Sequence, residues 1–561
     1  MWVKVPDAPR PVTEGVFQEL QNLGGEGVST GTNEEIVRLR KQYHFFHWYL
    51  EFPDVFSVPE SGQGVSPDTG WAGGFDCVLG NPPWDSVELK EQEFFAQRAP
   101  EIAAISRAAQ RKKAIAALKD SLDGQELYRD FAEAKRKVYA ESHFLRRSGR
   151  VPLTGQGNLN VYAIFAETDR ILLGERGRCG VIVPTGIATD SRTQYFFKDL
   201  VEKGSIAALY DFENAVPLFE GVHRSFKFCI LSLAGRGMRE PEASFAFFLH
   251  DPAELDDADK AFTMTPEEIK LLNPNTGTCS VFRSRRDAEI TLDIYKRVPV
   301  LVKEGDPDGN PWGVSFMQGL FNMSHDSHLF YTREDLEADG WTLEGNIFVK
   351  GEKRMLPLYE AKMLHHYDHR WATYTESGDT RAFTLEEKQD PNAVVMPRYW
   401  VSEESAATGE FDKNGDPIMV PGVQTKLDAA GWGREWLFGW RDICRATDER
   451  TAVAGFMPKS AVGHKYLLEL TSSSPQETSV LASCQSSFCF DYLSRQKTGG
   501  TSMSFFVWKQ LPVISRESAI GYGSFIESRI LELVYTANDM SDLARGLGDD
   551  GAPFRWDEGR R

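Results

Sequence analysis

Asn81-Pro82-Pro83-Trp84 directly follows the apolar run Phe75-Asp76-Cys77-Val78-Leu79-Gly80. A side-chain amide oxygen and a proline carbonyl both accept hydrogen bonds. Side by side, they suit methyl transfer to a planar amino nitrogen such as the exocyclic nitrogen of adenine. That nitrogen is a poor nucleophile while its lone pair is delocalised into the ring. Two acceptors on its N–H groups favour the more tetrahedral form that attacks a methyl sulfonium. Asn81 and Pro82 would supply them, with Pro83 shaping the loop. The prolines restrict φ and the residue before them, so the acceptors are oriented before substrate arrives. Trp84 offers a face on which an extruded base stacks. In-line displacement needs orientation and acceptors, not a metal or a covalent nucleophile. A strand followed by a structural Pro-Pro turn is the alternative reading of the same residues.

The surrounding chain predicts the elements that position this loop. Apolar strands are expected at 75–79, 179–184 and 206–212, with a further strand, 226–233, near the sheet edge. Amphipathic helices are expected at 160–174 and 191–203. Strands alternating with helices predict an α/β, partial doubly wound (Rossmann-like) sheet, and ligands of such sheets sit at the carboxyl ends of strands. Residues 86–147, Ala-rich with a basic cluster at Arg111, Lys112 and Lys113, predict a helical insertion growing from the catalytic loop. The aromatic block His44 to Phe52 predicts core packing. After about residue 240 the pattern breaks into a mixed α+β region. The expected organisation is an irregular or helical segment 1–72, a catalytic half-domain 73–240, a recognition domain 241–540 and a tail 541–561.

The chain has 561 residues, 41% hydrophobic and 26% charged, which allows several cores. No apolar run reaches the ~20 residues of a membrane span, and no signal-peptide pattern opens the chain. Cysteines 77, 179, 229, 279, 444, 484 and 489 are scattered without CxxC or metal-like spacing. A reducing, cytoplasmic setting without structural zinc is expected. A net charge of −19 argues against indiscriminate nucleic-acid binding, so any DNA contact must come from a local cluster.

The segments Phe75–Trp84, Asn158–Glu167 with Val181–Pro184, and Tyr210–Phe228 resemble the amino-methylating DNA methyltransferases of the gamma motif order. With 357–371, 440–450 and 495–511, they look like the large adenine-N6 methylases of type IIG-like restriction–modification systems, and like phage-defence methylases of the BREX and DISARM kinds. The resemblance implies S-adenosylmethionine as cofactor, with Asp76 and Phe165 as candidate contacts. It also implies a second aromatic against the flipped base, for which Phe219 and Phe226 are the candidates. One departure stands out: the family's Gly-rich cofactor loop follows a strand upstream of the Asn-Pro-Pro loop. Here the only upstream candidate, Leu23-Gly24-Gly25-Glu26-Gly27, has no strand before it. The expectation is a C-terminal methylase portion whose cofactor half comes from an N-terminal partner.

For double-stranded DNA the candidate contacts are Lys362, His365, His369, Arg370, Arg398, Arg445, Arg450, Lys465, Arg495 and Lys497. They are interleaved with aromatics, a mixture suited to phosphates and base edges. The turn Lys497-Thr498-Gly499-Gly500-Thr501 is a further candidate for backbone contact with phosphate. No complete metal-ligand set is expected at His44 and His47 or at His365, His366 and His369. Glu360-Ala361-Lys362 matches half of a nuclease signature, without its Pro-Asp, so no nuclease is expected. Two other readings remain open: a non-catalytic DNA-recognition subunit, and an amino-methylase acting on RNA or protein.

Overall fold

The computed structural model describes residues 13–59, 65–66, 69–224, 226–411, 416–498, 500–557 and 559. The chain divides into two compact units. The first comprises residues through Val78 with Asp169–Cys179 and Gly235–Gly237, and the second comprises Leu79–Thr168, Gly180–Ala234 and Met238 onward.

In the first unit, the N-terminal stretch read as irregular or helical contains helices Glu14–Leu23 and Thr30–Tyr43. Ser29 caps the second helix by accepting from Thr32 N at 3.3 Å. Gly24–Gly27 is a 3₁₀ turn between these helices. Part of the aromatic block packs around Phe75, with Phe52 edge-on at 5.3 Å and Trp48 at 5.9 Å, and Phe56 beyond the block joins them at 5.1 Å. Immediately before Phe75, Gly74 takes φ +150° with its backbone against Gly174, where a Cβ would stand 2.3 Å from the Gly174 nitrogen.

The fold is mixed α/β. Six strands form one sheet: β1 Phe75–Gly80, β2 Leu173–Pro184, β3 Ile206–Glu213, β4 Lys227–Ala234, β5 Ala243–Leu249 and β6 Phe262–Met264. Their order is β1-β2-β4-β3-β5-β6. β3 pairs antiparallel with β4, opposing Phe212 to Phe228, and parallel with β5. The expected edge position of residues 226–233 is therefore corrected: β4 lies inside the sheet, because the long 214–226 connection lets it fold back along β3. The boundary at 240 is corrected too. β5 continues the same sheet, and its Phe245, Ala246 and Leu249 are fully buried.

Within the second unit, helices Ala108–Ala117 and Gln125–Arg147 follow the Asn81–Trp84 loop. The helical segment has its own small core of Phe95, Ala99, Ile102, Ile115 and Phe131. Further along the chain, besides two two-stranded sheets, lie two larger ones. One contains β8 Thr342–Glu344, β9 Ile347–Lys350, β10 Lys353–Tyr359 and β11 Trp400–Ser402, with β14 Ala461–Val462 on β10. The other has the order β13 (Ala454–Pro458), β12 (Trp436–Arg441), β15 (Tyr466–Thr471), β7 (Val314–Met317). Trp440 stacks on Trp508 at 4.4 Å in the core of this region. The stretch read as a tail is not one: Ser541–Gly546 is helical with Leu543 and Ala544 buried, and Trp556 is buried beneath Lys388.

Candidate active site and recognition face

The Asn81 loop leaves the end of β1 and is pinned on its far side. Asp85 O accepts from Val161 N and Leu159 O from Val87 N, both at 2.9 Å, tying the loop to the start of helix Val161–Leu172. Buried Glu167 on that helix braces the preceding segment, accepting from Thr154 N at 2.8 Å and Thr154 Oγ1 at 2.6 Å. Between these anchors Pro82 is buried, and Asn81 and Pro83 are exposed. Neither the Asn81 side chain nor the Pro82 carbonyl takes a hydrogen bond from a described residue. Two acceptors on a Pro-stiffened loop thus remain available for a substrate.

Trp84 is half-buried. Its indole N–H donates to Ile182 O at 3.4 Å, and its ring lies 6.4 Å from that of Phe228. Phe219 meets the same Phe228 edge-on at 5.2 Å, so Trp84 and Phe219 are brought together on one buried ring. Phe226 is 50% exposed at the end of the 214–226 loop. The residue that shapes this loop escaped the sequence reading. Asn214, fully buried, donates to Phe219 O at 3.0 Å and Val222 O at 2.9 Å. Its Oδ1 accepts from Leu218 N at 3.0 Å and Phe219 N at 3.1 Å. The only sequence signal was an Asn at a strand end before a Pro-containing loop, where Asn commonly bonds local backbone.

Beside the loop, Lys227 pairs with Glu213 at 2.8 Å, and His250 stands 3.2 Å from the same carboxylate. Burial would raise the Glu213 carboxyl, but the Lys227 and His250 contacts outweigh it and hold it below its ordinary value. At the carboxyl end of β2, a cavity of about 200 Å³ is lined by Tyr162, Thr185, Asp190, Asp211, Lys227 and Phe248 among others. Burial raises Asp211, opposed by hydrogen bonds from the Thr185 hydroxyl and Phe248 N.

Of the candidate cofactor contacts, Asp76 belongs to the first unit and Phe165 to the second. Asp76 is exposed on β1, and Phe165 is exposed on its helix instead of packing in a helix core. Gly24–Gly27 joins two helices, so among the described residues no strand–glycine turn–helix unit precedes β1. These residues do not by themselves fit a complete S-adenosylmethionine site.

The candidate DNA contacts separate into three groups. Arg398 and Arg445 are exposed. Lys362 and Lys465 are half-exposed and paired, Lys362 with Tyr374 Oη at 2.7 Å and Lys465 with Asp442 at 2.7 Å. Apart from His365, which is partly exposed, the rest turn inward. Arg370 is fully buried and donates to the carbonyls of Glu387, Lys388, Asp390, Ala393 and Thr536. His369 is buried against Asp539 at 2.9 Å. Lys497 donates to Leu272 O and to Asn273 Oδ1. The DNA-contact reading of Arg370, His369 and Lys497 is therefore corrected: each is engaged with internal oxygens. Arg450 and Arg495 are mostly covered and adjoin Asp491. In the turn that follows Lys497, Gly499 lies outside the described residues. His365 stacks on Trp371 while His369 bonds Asp539, and among the described residues no metal-ligating cluster of three forms.

A family match covers the segment that carries the Asn81–Trp84 loop. Residues 14–124 match the Eco57I restriction-modification methylase family. The resemblance to restriction–modification methylases is thereby shown. No curated protein matches the chain. Among solved structures, the chain is similar to the DNA complex of the type IIL restriction-modification enzyme MmeI. That match has 11% identity, covers 85% of this chain and 55% of that one, and has a TM-score of 0.37. A nuclease-deletion mutant of the type ISP enzyme LlaGI, with a DNA substrate mimic, matches at 11% identity over 81% and 35% of the two chains, TM-score 0.34. The type IIG restriction endonuclease BpuSI matches at 13% identity over 73% and 51%, TM-score 0.25. The chain spans between 35% and 55% of the length of these structures. Among the described residues no helix is long and apolar enough to cross a membrane.

Proposed function

We propose that this chain is the catalytic and recognition portion of a site-specific DNA adenine-N6 methyltransferase of a restriction–modification or phage-defence system. The observation that carries this reading is the pair of unpartnered acceptors, Asn81 Oδ1 and Pro82 O, on the anchored loop. They accept the two N–H groups of an extruded adenine and draw its amino nitrogen toward the nucleophilic geometry. Trp84 and exposed Phe226 bound the base from two loops, and Asn214 holds the second loop in shape. S-adenosylmethionine supplies the methyl group, and the six-stranded sheet serves as part of a Rossmann-like methyltransferase fold.

The cofactor half comes from a partner on this reading. β1 is the last strand at its side of the sheet, and Leu79 on it is 78% exposed. In the first unit Phe45, Phe46, Leu50 and Val58 are also exposed. An uncovered apolar strand edge is a surface that another element completes.

Nucleoside mass spectrometry of unmethylated duplex DNA, treated with the chain, its neighbouring subunit and S-adenosylmethionine, tests the reading. N6-methyladenine is expected, and Asn81→Ala should lower its yield about 10²- to 10³-fold, as for loss of one preorganised polar contact. An undiminished yield from Asn81→Ala overturns the proposal. The incomplete cofactor cradle favours one second reading, a DNA-recognition subunit without transferase activity. Duplex binding with no methylated nucleoside in any combination would select it, and methylated RNA or protein would select a different amino substrate.

A further inference from the structure

Beyond the acceptor pair, the turn His365–Asp368 gathers groups that internal packing leaves unsatisfied. His365 N donates to Asp368 O at 2.8 Å and Asp368 N to His365 O at 3.1 Å, with Tyr367 at φ +55° closing the turn. The His365 imidazole lies over Trp371, ring centroids 4.4 Å apart and planes 29° from parallel. Its ring nitrogens have no hydrogen-bond partner among the described residues. Arg441 donates to Leu364 O beside it, leaving its Nε without a partner. Arg450 donates to Ser486 O at 2.6 Å, covers the Phe488 ring at 4.4 Å and leaves Nη1 without a hydrogen bond. The face is open: Trp371 is 41%, Ile443 56% and Phe488 83% exposed.

Resting on the DNA-methyltransferase reading, we propose that this turn is a base-reading element. His365, clamped on Trp371 beside Arg441 and Arg450, makes a direct hydrogen bond to a base edge of duplex DNA, while exposed Arg445 engages phosphate. The occupant follows from charge and shape. On a chain of net charge −19, exposed Arg445 and uncovered rings lie here over the covered guanidinium groups of Arg441 and Arg450, which suits a polyanion with aromatic edges. A ring fixed by stacking can discriminate bases, because its donor and acceptor cannot follow a displaced partner. Burial, then Arg441, lowers the His365 imidazole to about 4 despite Asp368, with Arg450 and Lys388 acting in the same direction as Arg441. It is therefore neutral at pH 7, offering one donor and one acceptor instead of a second positive charge.

Base readers and phosphate ligands respond differently to substitution. His365→Phe keeps the stack on Trp371 and removes both nitrogens. In selection from a random duplex library by the chain, it should relax preference at one position, about 5- to 100-fold, with the salt dependence of binding unchanged. Arg445→Gln should weaken all sequences alike and reduce the salt slope by about one. Should His365→Phe fail to fold, His365→Gln, which moves the donor and acceptor, must alter preference at the same position. Unaltered preference in the folded variant overturns the inference, as does a reduced salt slope with preference intact. A wild-type chain that retains no duplex at low salt overturns the DNA reading instead, so the two failures are distinguishable.

Discussion

The Asn81–Trp84 loop and the region around residues 357–511 use their polar groups in opposite ways. At Asn81–Trp84 the backbone is tied down on both sides, yet the Asn81 amide and the Pro82 carbonyl take no internal partner. The stretch 362–370, read from sequence as a basic cluster, sends its arginine inward, where Arg370 satisfies five main-chain carbonyls. A polar side chain marks a binding site when the fold leaves it unused, and residue type alone does not reveal that. Buried carbonyls need donors, and a fully buried guanidinium with five N–H groups supplies them in bulk.

The sharpest way to break that comparison is at Arg370. Arg370→Ala orphans several buried carbonyls and leaves a cavity, so the chain should lose about 4 kcal/mol or more of stability in a denaturant titration. A folded, stable variant with weakened DNA binding would return Arg370 to the DNA face. Glu469 gives the next largest effect. It is fully buried, accepts from Gln485 Nε2 at 2.9 Å and Trp508 Nε1 at 2.8 Å, and burial raises its carboxyl to about 7. A raised folded-state value means the native protein holds the proton more tightly than the unfolded chain, whose carboxyl titrates near 4.5. The Glu469 contribution to stability should therefore fall as pH rises from about 4.5 to 7 and level off above, by about 3 kcal/mol in all. Other groups titrate in the same window, His365 in the opposite sense, so the check is the difference between the wild type and Glu469→Gln in denaturant titrations across it, which should change by that amount.

This contrast also marks what could be read in the sequence. The Asn-Pro-Pro-Trp loop was legible because prolines fix local geometry whatever surrounds them, and strands 179–184 and 206–212 because continuous apolar runs have few alternatives. The place of β4 was not legible, since its order depends on how the 214–226 loop returns, a non-local matter. β5 was missed because its residues Ala243–Leu249 follow a polar stretch that looked like a domain end. Among the cations, Arg370 and Arg398 are chemically identical in sequence, and only the depth of the surrounding carbonyls separates them.

On the catalytic side, Asn214 tests whether the second loop matters for its shape. Asn214→Ala removes four hydrogen bonds inside the 214–226 loop and should cost about 1–3 kcal/mol in stability. The informative readout is methyl transfer against duplex affinity. Displacing Phe219 and Phe226 should lower turnover while leaving binding by the recognition region intact. Loss of both in equal measure would make Asn214 a general fold residue.

The smallest effect sharpens the comparison from the exposed side. Arg398 is exposed, lies over Tyr399 at 5.2 Å and has no acidic partner among the described residues. Lys465 is about as accessible as Lys362 but stands 2.7 Å from Asp442, which already neutralises it. Counterion release on binding scales with the phosphates a protein newly neutralises. Arg398→Gln should therefore lower the slope of log affinity against log salt by about one, whereas Lys465→Gln should change it by less. An internally paired lysine gains little from a phosphate, because the contact must first compete with its carboxylate. If Lys465→Gln proved the larger of the two, the Asp442 pair would have to open on DNA, and pairing in the free protein would no longer separate structural cations from binding ones.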